Sequence, residues 1–125
     1  MKSVEIFLNF PIMDMNRNVL RSGAPPAKVE QMTRFWGDES WRAAAFRSEP
    51  GLFDSHEVKV ENWELVKSFQ ERLKKSAGFE YVPEPMAMRN QQRSAVYYLF
   101  FAGPNETGSV IAQDIFNDYR RKGYG

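Results

Sequence analysis

Two segments of the chain carry apolar residues on both alternating faces. Residues 4–10 are β-branched, aliphatic or aromatic except at Glu5 and Asn9, and the run stops at Pro11. Residues 95–102, Ala-Val-Tyr-Tyr-Leu-Phe-Phe-Ala, contain no charged or amide side chain. Strands with both faces covered have such runs, because neither face meets water. We therefore expect two buried strands, with residues 95–102 central and antiparallel to residues 4–10, which lack a partner on their other side.

Apolar residues at helical spacing predict about four helices. The first begins near Ala27, after Pro25 and Pro26, and ends at Gly37, which suits the left-handed position of a helix end. Asp38 is expected to cap a second helix that carries Trp41, Ala45 and Phe46. The two longest apolar stripes predict the third and fourth helices; they are Val60, Trp63, Val66, Phe69, Leu73 and Ala77, then Val110, Ile111, Ile115, Phe116 and Tyr119.

The remaining segments are more polar. Residues 12–23 and 48–58 are expected to be loops: the first is rich in the polar residues Asp14, Asn16, Arg17 and Asn18, and the second begins with Ser-Glu-Pro-Gly. Residues 79–88 are expected to form an edge or irregular strand, because Pro83 and Pro85 have no N–H to donate. The predicted order is strand, helices, strand, strand, helix. It favours an α/β fold with a partial Rossmann-like or methyltransferase-like three-stranded mixed sheet, whose strands are residues 4–10, 79–88 and 95–102.

Length and composition limit the classes of function. A chain of 125 residues is long enough for one domain, so residues 1–125 are expected to form a single one. The net charge of +1 provides no global basic field for nucleic acid or anionic membranes. No cysteine and one histidine exclude cysteine or multi-histidine metal sites. Without an export signal or membrane span in the sequence, we expect a cytoplasmic protein.

Several blocks of the sequence resemble one bacterial family. They are residues 5–18 (EIFLNFPIMDMNRN), 34–42 (RFWGDESWR), 77–79 (AGF), 82–85 (VPEP) and 97–102 (YYLFFA). The resemblance is to the three-Cys-motif partner proteins, whose C-terminal part is methyltransferase-like. It implies that this chain corresponds to that C-terminal part and lacks the glycine-rich S-adenosylmethionine loop and the cysteines. No cofactor is therefore expected for this chain alone, and S-adenosylmethionine only where the N-terminal half is present.

Ten residues are candidate substrate contacts. Six lie at or after the end of the first strand, where open α/β sheets face their ligands: Asn9, Pro11, Asp14, Asn16, Arg17 and Asn18. Four form an aromatic and arginine corner, and such side chains stack on bases: Arg34, Trp36, Trp41 and Arg42. Both groups also have a structural interpretation, as hydrogen bonds within a loop and as helix core packing. The catalytic residues stay unassigned, and no metal site is expected.

Three hypotheses for function follow. The preferred one is a shortened three-Cys-motif partner-like protein without activity of its own, in which a second copy or another partner covers the exposed sheet edge. The alternative is a small nucleic-acid or nucleotide binding module that uses residues 9–18 and 34–42. A complete small enzyme has the least support, because no nucleophile, acid-base pair or metal set is recognisable.

Overall fold

The computed structural model describes residues 4–123, which form five helices and five strands. In chain order these are β1 (Ile6–Phe10), α1 (Ile12–Asn18), α2 (Pro26–Trp36), α3 (Trp41–Ala45), β2 (Phe46–Pro50), β3 (Ser55–Lys59), α4 (Asn62–Lys75), β4 (Met86–Arg89), β5 (Ala95–Ala102) and α5 (Glu106–Arg121). The backbone divides into two compact units. Unit 1 comprises residues 4–13 and 69–123, and unit 2 comprises Asp14–Ser68. The fold class is α/β, while the expected single domain stays a prediction.

Unit 1 contains a three-stranded sheet of order β1-β5-β4. β5 lies in the centre and pairs antiparallel with β1, with Phe7 opposite Phe101, so the expected central strand and its pairing are confirmed. β4 pairs with the other side of β5, with Met86 opposite Leu99. Both pairings are antiparallel, so the prediction of a mixed sheet was wrong for the described part of the chain. β5 returns between two strands that share one direction, which is why no neighbouring pair is parallel.

Each face of this sheet carries its own apolar cluster. On one face, the ring of Phe69 in α4 lies 4.9 Å from Phe10 and 5.3 Å from Phe100, centroid to centroid. On the other face, Phe116 and Ala112 of α5 pack with Phe101 and with a buried methionine of β4, Met86. Rings at these separations combine area burial with favourable edge and tilted contacts. The apolar residues of β5 alternate between the two clusters, as a strand covered on both faces requires.

β1 differs from its prediction because one of its faces is open. Residues 4–10 were expected to be buried on both faces, but the strand begins at Ile6 and Phe7 is 60% exposed. Asn9 on the same face is also exposed, whereas Phe10 on the opposite face is buried. β1 therefore has an edge position with one solvated face, and the apolar run alone did not reveal this.

The irregular segment before β4 follows from its prolines. Regular pairing starts only at Met86, after Pro83 and Pro85, instead of covering residues 79–88. Before them, Tyr81 makes an isolated antiparallel bridge with Gly103 through N–H to O contacts of 3.0 and 3.1 Å. The carbonyl of Val82 accepts a hydrogen bond from the Gln70 side chain instead of from a strand. The predicted irregular edge strand is confirmed, over a shorter range.

The helix boundaries marked by glycine were predicted well. α2 starts at Pro26 and is closed by Gly37, whose φ of 112° is left-handed and whose N–H donates to the Thr33 carbonyl. α4 is shorter than the predicted 60–77 helix, and Gly78 with φ 80° follows it. Trp63, expected on the buried stripe of that helix, is exposed instead, with the Lys67 ammonium 5.8 Å from its ring centre.

Three polar segments were assigned incorrectly. Residues 12–18 form α1 rather than a loop, because Ile12, Met15 and Val19 are buried at helical spacing among the polar residues. The second predicted loop lies within the β2–β3 hairpin, residues 46–59, which composition concealed because its side chains are mostly solvated. Asp38 does not cap a helix: its carboxylate accepts from the N–H and hydroxyl of Ser40, and α3 begins at Trp41.

The aromatic cluster of unit 1 can be tested by truncation. Phe100 is fully buried, so Phe100→Ala should lower the free energy of unfolding by about 3–5 kcal/mol. Phe53→Ala is the matched control, because Phe53 is 95% exposed and its loss should change stability by less than about 0.5 kcal/mol. Urea titration followed by far-ultraviolet circular dichroism measures both. If Phe100→Ala does not fold, Phe100→Leu should still show a smaller loss; equal stability of the two alanine variants would contradict the assignment.

Candidate functional site

The most distinctive surface of unit 1 is an apolar groove between β1 and α5. We define the apolar groove by Phe7, Phe101, Ile111, Ala112 and Ile115, which line a cavity of about 530 Å³. The Phe7 ring packs edge-on against Phe101, with 5.3 Å between ring centres. Phe7, Ile111 and Ile115 are nevertheless exposed, although side chains of this kind are stabilised by leaving water.

One end of the apolar groove is polar and is built around the start of α5. The Asn105 side chain caps the helix by accepting the N–H of Gly108 at 2.8 Å. The Glu5 side chain lies so close to Gly108 that a Cβ there would collide with its carboxylate oxygen. A carboxylate is favourable at a helix N-terminus, where the unpaired N–H groups carry partial positive charge. Glu106 in the first turn adds a second negative charge at this end.

The opposite end of α5 is basic. Arg120 and Arg121 lie in its last turn, and Lys122 follows. Asp118 is within 3.1 Å of the Arg121 guanidinium and 3.0 Å of the Lys122 ammonium. The hydrogen bond from Lys122, with the charges of both cations, lowers the pKa of Asp118. Three cations against one carboxylate leave this end of α5 positive.

The edge of β1 completes this surface. In the order β1-β5-β4, no strand among residues 4–123 pairs with β1 on its outer side. Alternate N–H and C=O groups along that side therefore face away from the sheet. Such an edge is a template for pairing with another strand. A free strand edge next to an apolar groove is suited to binding polypeptide.

The first group of predicted site residues is divided between the two units. Asn9 and Pro11 belong to unit 1, and the other four belong to unit 2, on α1 instead of the expected loop. On α1, the Asn18 amide donates to the Asp14 carboxylate one turn earlier, at 2.7 Å. Arg17 is exposed, and its carbonyl accepts from the Arg21 side chain.

Asn16 takes part in a semi-buried polar network. Its amide donates to Asn62 Oδ1 at 3.1 Å, and that oxygen also accepts from the Lys59 ammonium at 2.9 Å. Lys59 donates further to the Val60 carbonyl. Burial lowers the pKa of Lys59, although the nearby carboxylates of Glu61 and Glu64 oppose the shift. Asn16 is thus held by hydrogen bonds inside unit 2, while its own Oδ1 is buried without a partner.

The tryptophans of the second group are core residues. Trp41 is 1% exposed, and Trp36 is also buried. Their indole N–H groups donate within unit 2, to Thr33 and Ser40 respectively, each at 3.0 Å. Both rings are therefore buried with their N–H groups hydrogen-bonded, which agrees with the interpretation as helix core packing; the stacking role stays a prediction.

The two arginines of this group have different surroundings. Arg34 is exposed and bound by Glu30 one turn away, at 2.7 Å. The Arg42 guanidinium lies over the Trp41 ring, 4.7 Å from its centre. Arg42 also lines a second cavity, of about 450 Å³, which lies wholly within unit 2. We call it the arginine cavity; it is lined by Val19, Arg21, Ser22, Gly23, Ala24, Val29, Trp41, Arg42, Phe46 and Glu57.

Several residues of these surfaces escaped prediction from sequence. Phe7 was placed in a buried strand, while Ile111 and Ile115 were placed on a helix stripe without regard to which side faced water. The polar positions Glu5 and Asn9, on either side of Phe7, are the sequence signal for a solvated face. In the arginine cavity, Trp41 and Arg42 were among the predicted site residues. Arg21 and the other lining residues carried no such signal, because segments distant in sequence form that cavity.

The Lys59 network makes stability depend on pH. The folded protein binds the Lys59 proton less tightly than the unfolded chain, whose lysine pKa is near 10.5. This difference lowers the free energy of unfolding in full at pH values below the pKa of Lys59 in the folded protein. The loss disappears as pH rises through 10.5. Relative to Lys59→Gln, the wild type should therefore gain free energy of unfolding as pH rises from about 7 toward that value. NMR titration of the Lys59 side chain checks the midpoint; a midpoint at or above 10.5, or a loss of relative stability, would contradict this.

Within residues 4–123 the structure shows neither a membrane-spanning helix nor a group of metal ligands, and comparison with known proteins adds no assignment. No helix within residues 4–123 is long and apolar enough to cross a membrane. Nor do three or more histidine, aspartate or glutamate side chains of this region group as metal ligands. No protein-family model, no curated protein and no solved structure matches the chain.

Proposed function

We propose that this chain is an association module that binds a second copy of itself through the edge of β1. One observation carries the proposal: Phe7, on an edge strand, is 60% exposed next to the exposed Ile111 and Ile115. Single exposed apolar residues are ordinary on protein surfaces, but apolar groups clustered beside a free strand edge are typical of interaction sites.

We further propose that unit 1 corresponds to the C-terminal part of a methyltransferase-like fold of the three-Cys-motif partner type. The support is the position of β5, which comes last among the strands and is inserted antiparallel between β1 and β4. The sequence blocks at residues 5–18 and 97–102 support the same placement. Such a relationship concerns fold, and the role in association is argued from the surface itself.

A second copy suits the edge of β1 because the strand is self-complementary. When β1 pairs antiparallel with its copy about a two-fold axis at Phe7, the two Phe7 side chains lie opposite each other. Glu5 then faces Asn9 of the copy rather than another carboxylate, and Ile6 faces Leu8. Opposed like charges are avoided and each apolar residue meets another. A two-fold interface uses the same patch on both copies, so this register satisfies both at once.

The charges of α5 favour the same partner. α5 packs on β5, and a two-fold axis at Phe7 would make the α5 helices of the two copies antiparallel. The acidic end, with Glu5 and Glu106, then lies toward the basic end of the other copy, with Arg120, Arg121 and Lys122. The two β5 strands would lie three strand spacings apart, about 14 Å. Side chains of the two apolar grooves fill that gap.

Charge placed at the two-fold axis should break the association. Wild type should sediment at twice the chain mass of 14.5 kDa, and Phe7→Lys as a monomer, because its two ammonium groups would be directly opposed. Val110→Lys is the control: Val110 is 48% exposed on α5 but does not line the groove, so its variant should remain dimeric. Sedimentation equilibrium gives the masses. A monomeric wild type, or equal dissociation of the two variants, would reject the proposal.

The register can be tested by single cysteines, since the natural chain has none. Glu5→Cys mixed with Asn9→Cys should form a disulfide-linked dimer under mild oxidation, because paired strands place opposite Cα atoms about 4.5–5.5 Å apart. Either variant alone should not cross-link, since its cysteines would be about 13 Å apart along the strands. Cross-linking of either variant on its own would indicate another register and contradict the one proposed. Non-reducing electrophoresis reads the result.

A further inference from the structure

We infer that the arginine cavity of unit 2 binds the phosphate group of a small phosphate monoester. This goes beyond the proposed association, since the cavity shares no residue with β1 or the apolar groove. Its volume of about 450 Å³ is within the range of small-molecule sites. The inference depends on two exposed arginine side chains that line the cavity, Arg21 and Arg42.

Both guanidiniums are held in place by neutral groups. Arg21 donates through Nε to the Arg17 carbonyl at 2.7 Å and through Nη1 to the Ser22 carbonyl at 3.2 Å. Arg42 is held over the face of Trp41, itself fixed by its hydrogen bond to Thr33. A guanidinium has five N–H donors, so both arginines retain donors for a ligand. Side chains already held in one geometry lose less entropy when a ligand binds.

Neither arginine is neutralised by a carboxylate within ion-pair distance in the described chain. Arg47 of β2, which does not line the cavity, is different: its guanidinium contacts Glu49 at 3.0 Å and Glu64 at 3.7 Å. Glu57 is the carboxylate that lines the cavity. Two cations against one anion leave the lining net positive. An anionic ligand is therefore the class that compensates it.

The arrangement favours phosphate over carboxylate. Arg21 follows α1 and Arg42 lies on α3, so they approach the cavity from different elements. A phosphate monoester has three terminal oxygens in a tetrahedral array, and several guanidiniums bind such a group from separate directions. The apolar side chains of Val29 and Phe46, also in the lining, suit the organic part of the ester.

The test is a titration of the full chain with inorganic phosphate, adenosine 5′-monophosphate and adenosine. NMR signals of the Arg21 and Arg42 Nε–H groups report binding at the site. Both phosphates should give saturable shifts, the nucleotide binding more tightly, and adenosine should give none. Arg42→Gln should weaken phosphate binding by about tenfold, and Arg42→Lys should also weaken it because a lysine cannot bind bidentately. Glu57→Gln should tighten it by about threefold, since one like charge is removed.

Arg34→Gln is the matched control, because Arg34 is an exposed arginine of unit 2 that pairs with Glu30 and does not line the cavity. Its affinity for phosphate should equal that of the wild type. The absence of saturable shifts with either phosphate would overturn the inference. So would equal losses in Arg34→Gln and Arg42→Gln, which would indicate nonspecific charge screening. Binding of adenosine as strong as that of its phosphate would overturn the phosphate assignment.

Discussion

The central position of β5 is the constraint on which unit 1 depends. β5 is hydrogen-bonded on both sides, and its side chains supply apolar clusters on both faces of the sheet. Phe100 serves the cluster with Phe10 and Phe69, and Phe101 serves the one with Phe116. Two adjacent residues of one strand thus anchor α4 on one face and α5 on the other. Because β5 takes this place, β1 becomes an edge strand in the described chain.

The same pairing explains why the sequence predicted the core better than the surface. The run at residues 95–102 has no polar side for water to contact, so a central strand was the only consistent interpretation. Gly37 and Gly78 marked helix ends because a left-handed backbone position strongly favours glycine. These features depend on local backbone preference or complete burial, both of which sequence records directly.

Features that depend on contacts between segments distant in sequence could not be predicted from the sequence in this way. α1 was missed because its four polar residues outweigh, in composition, the buried positions Ile12 and Met15. The hairpin of β2 and β3 was missed because backbone pairing stabilises it with few buried side chains. Trp36 and Trp41 were correctly predicted to lie on helices. Only the structure shows that their indole N–H groups donate to Ser40 and Thr33. The arginine cavity likewise joins residues from several separate segments, so spacing in the sequence could not indicate it.

Position, rather than exposure, distinguishes the apolar groove from other apolar residues on the surface. Phe53 is more exposed than Phe7, but it lies at the tip of a hairpin and does not line the groove. Trp63 is exposed on a helix and has a cation over its ring. Phe7 differs because its neighbours across the groove are also apolar and no strand among residues 4–123 pairs with the outer edge of its own strand. A partner strand would satisfy the backbone and cover the side chains in one step. Neither Phe53 nor Trp63 combines both gains, and this combination is why β1 is the surface to which we assign association.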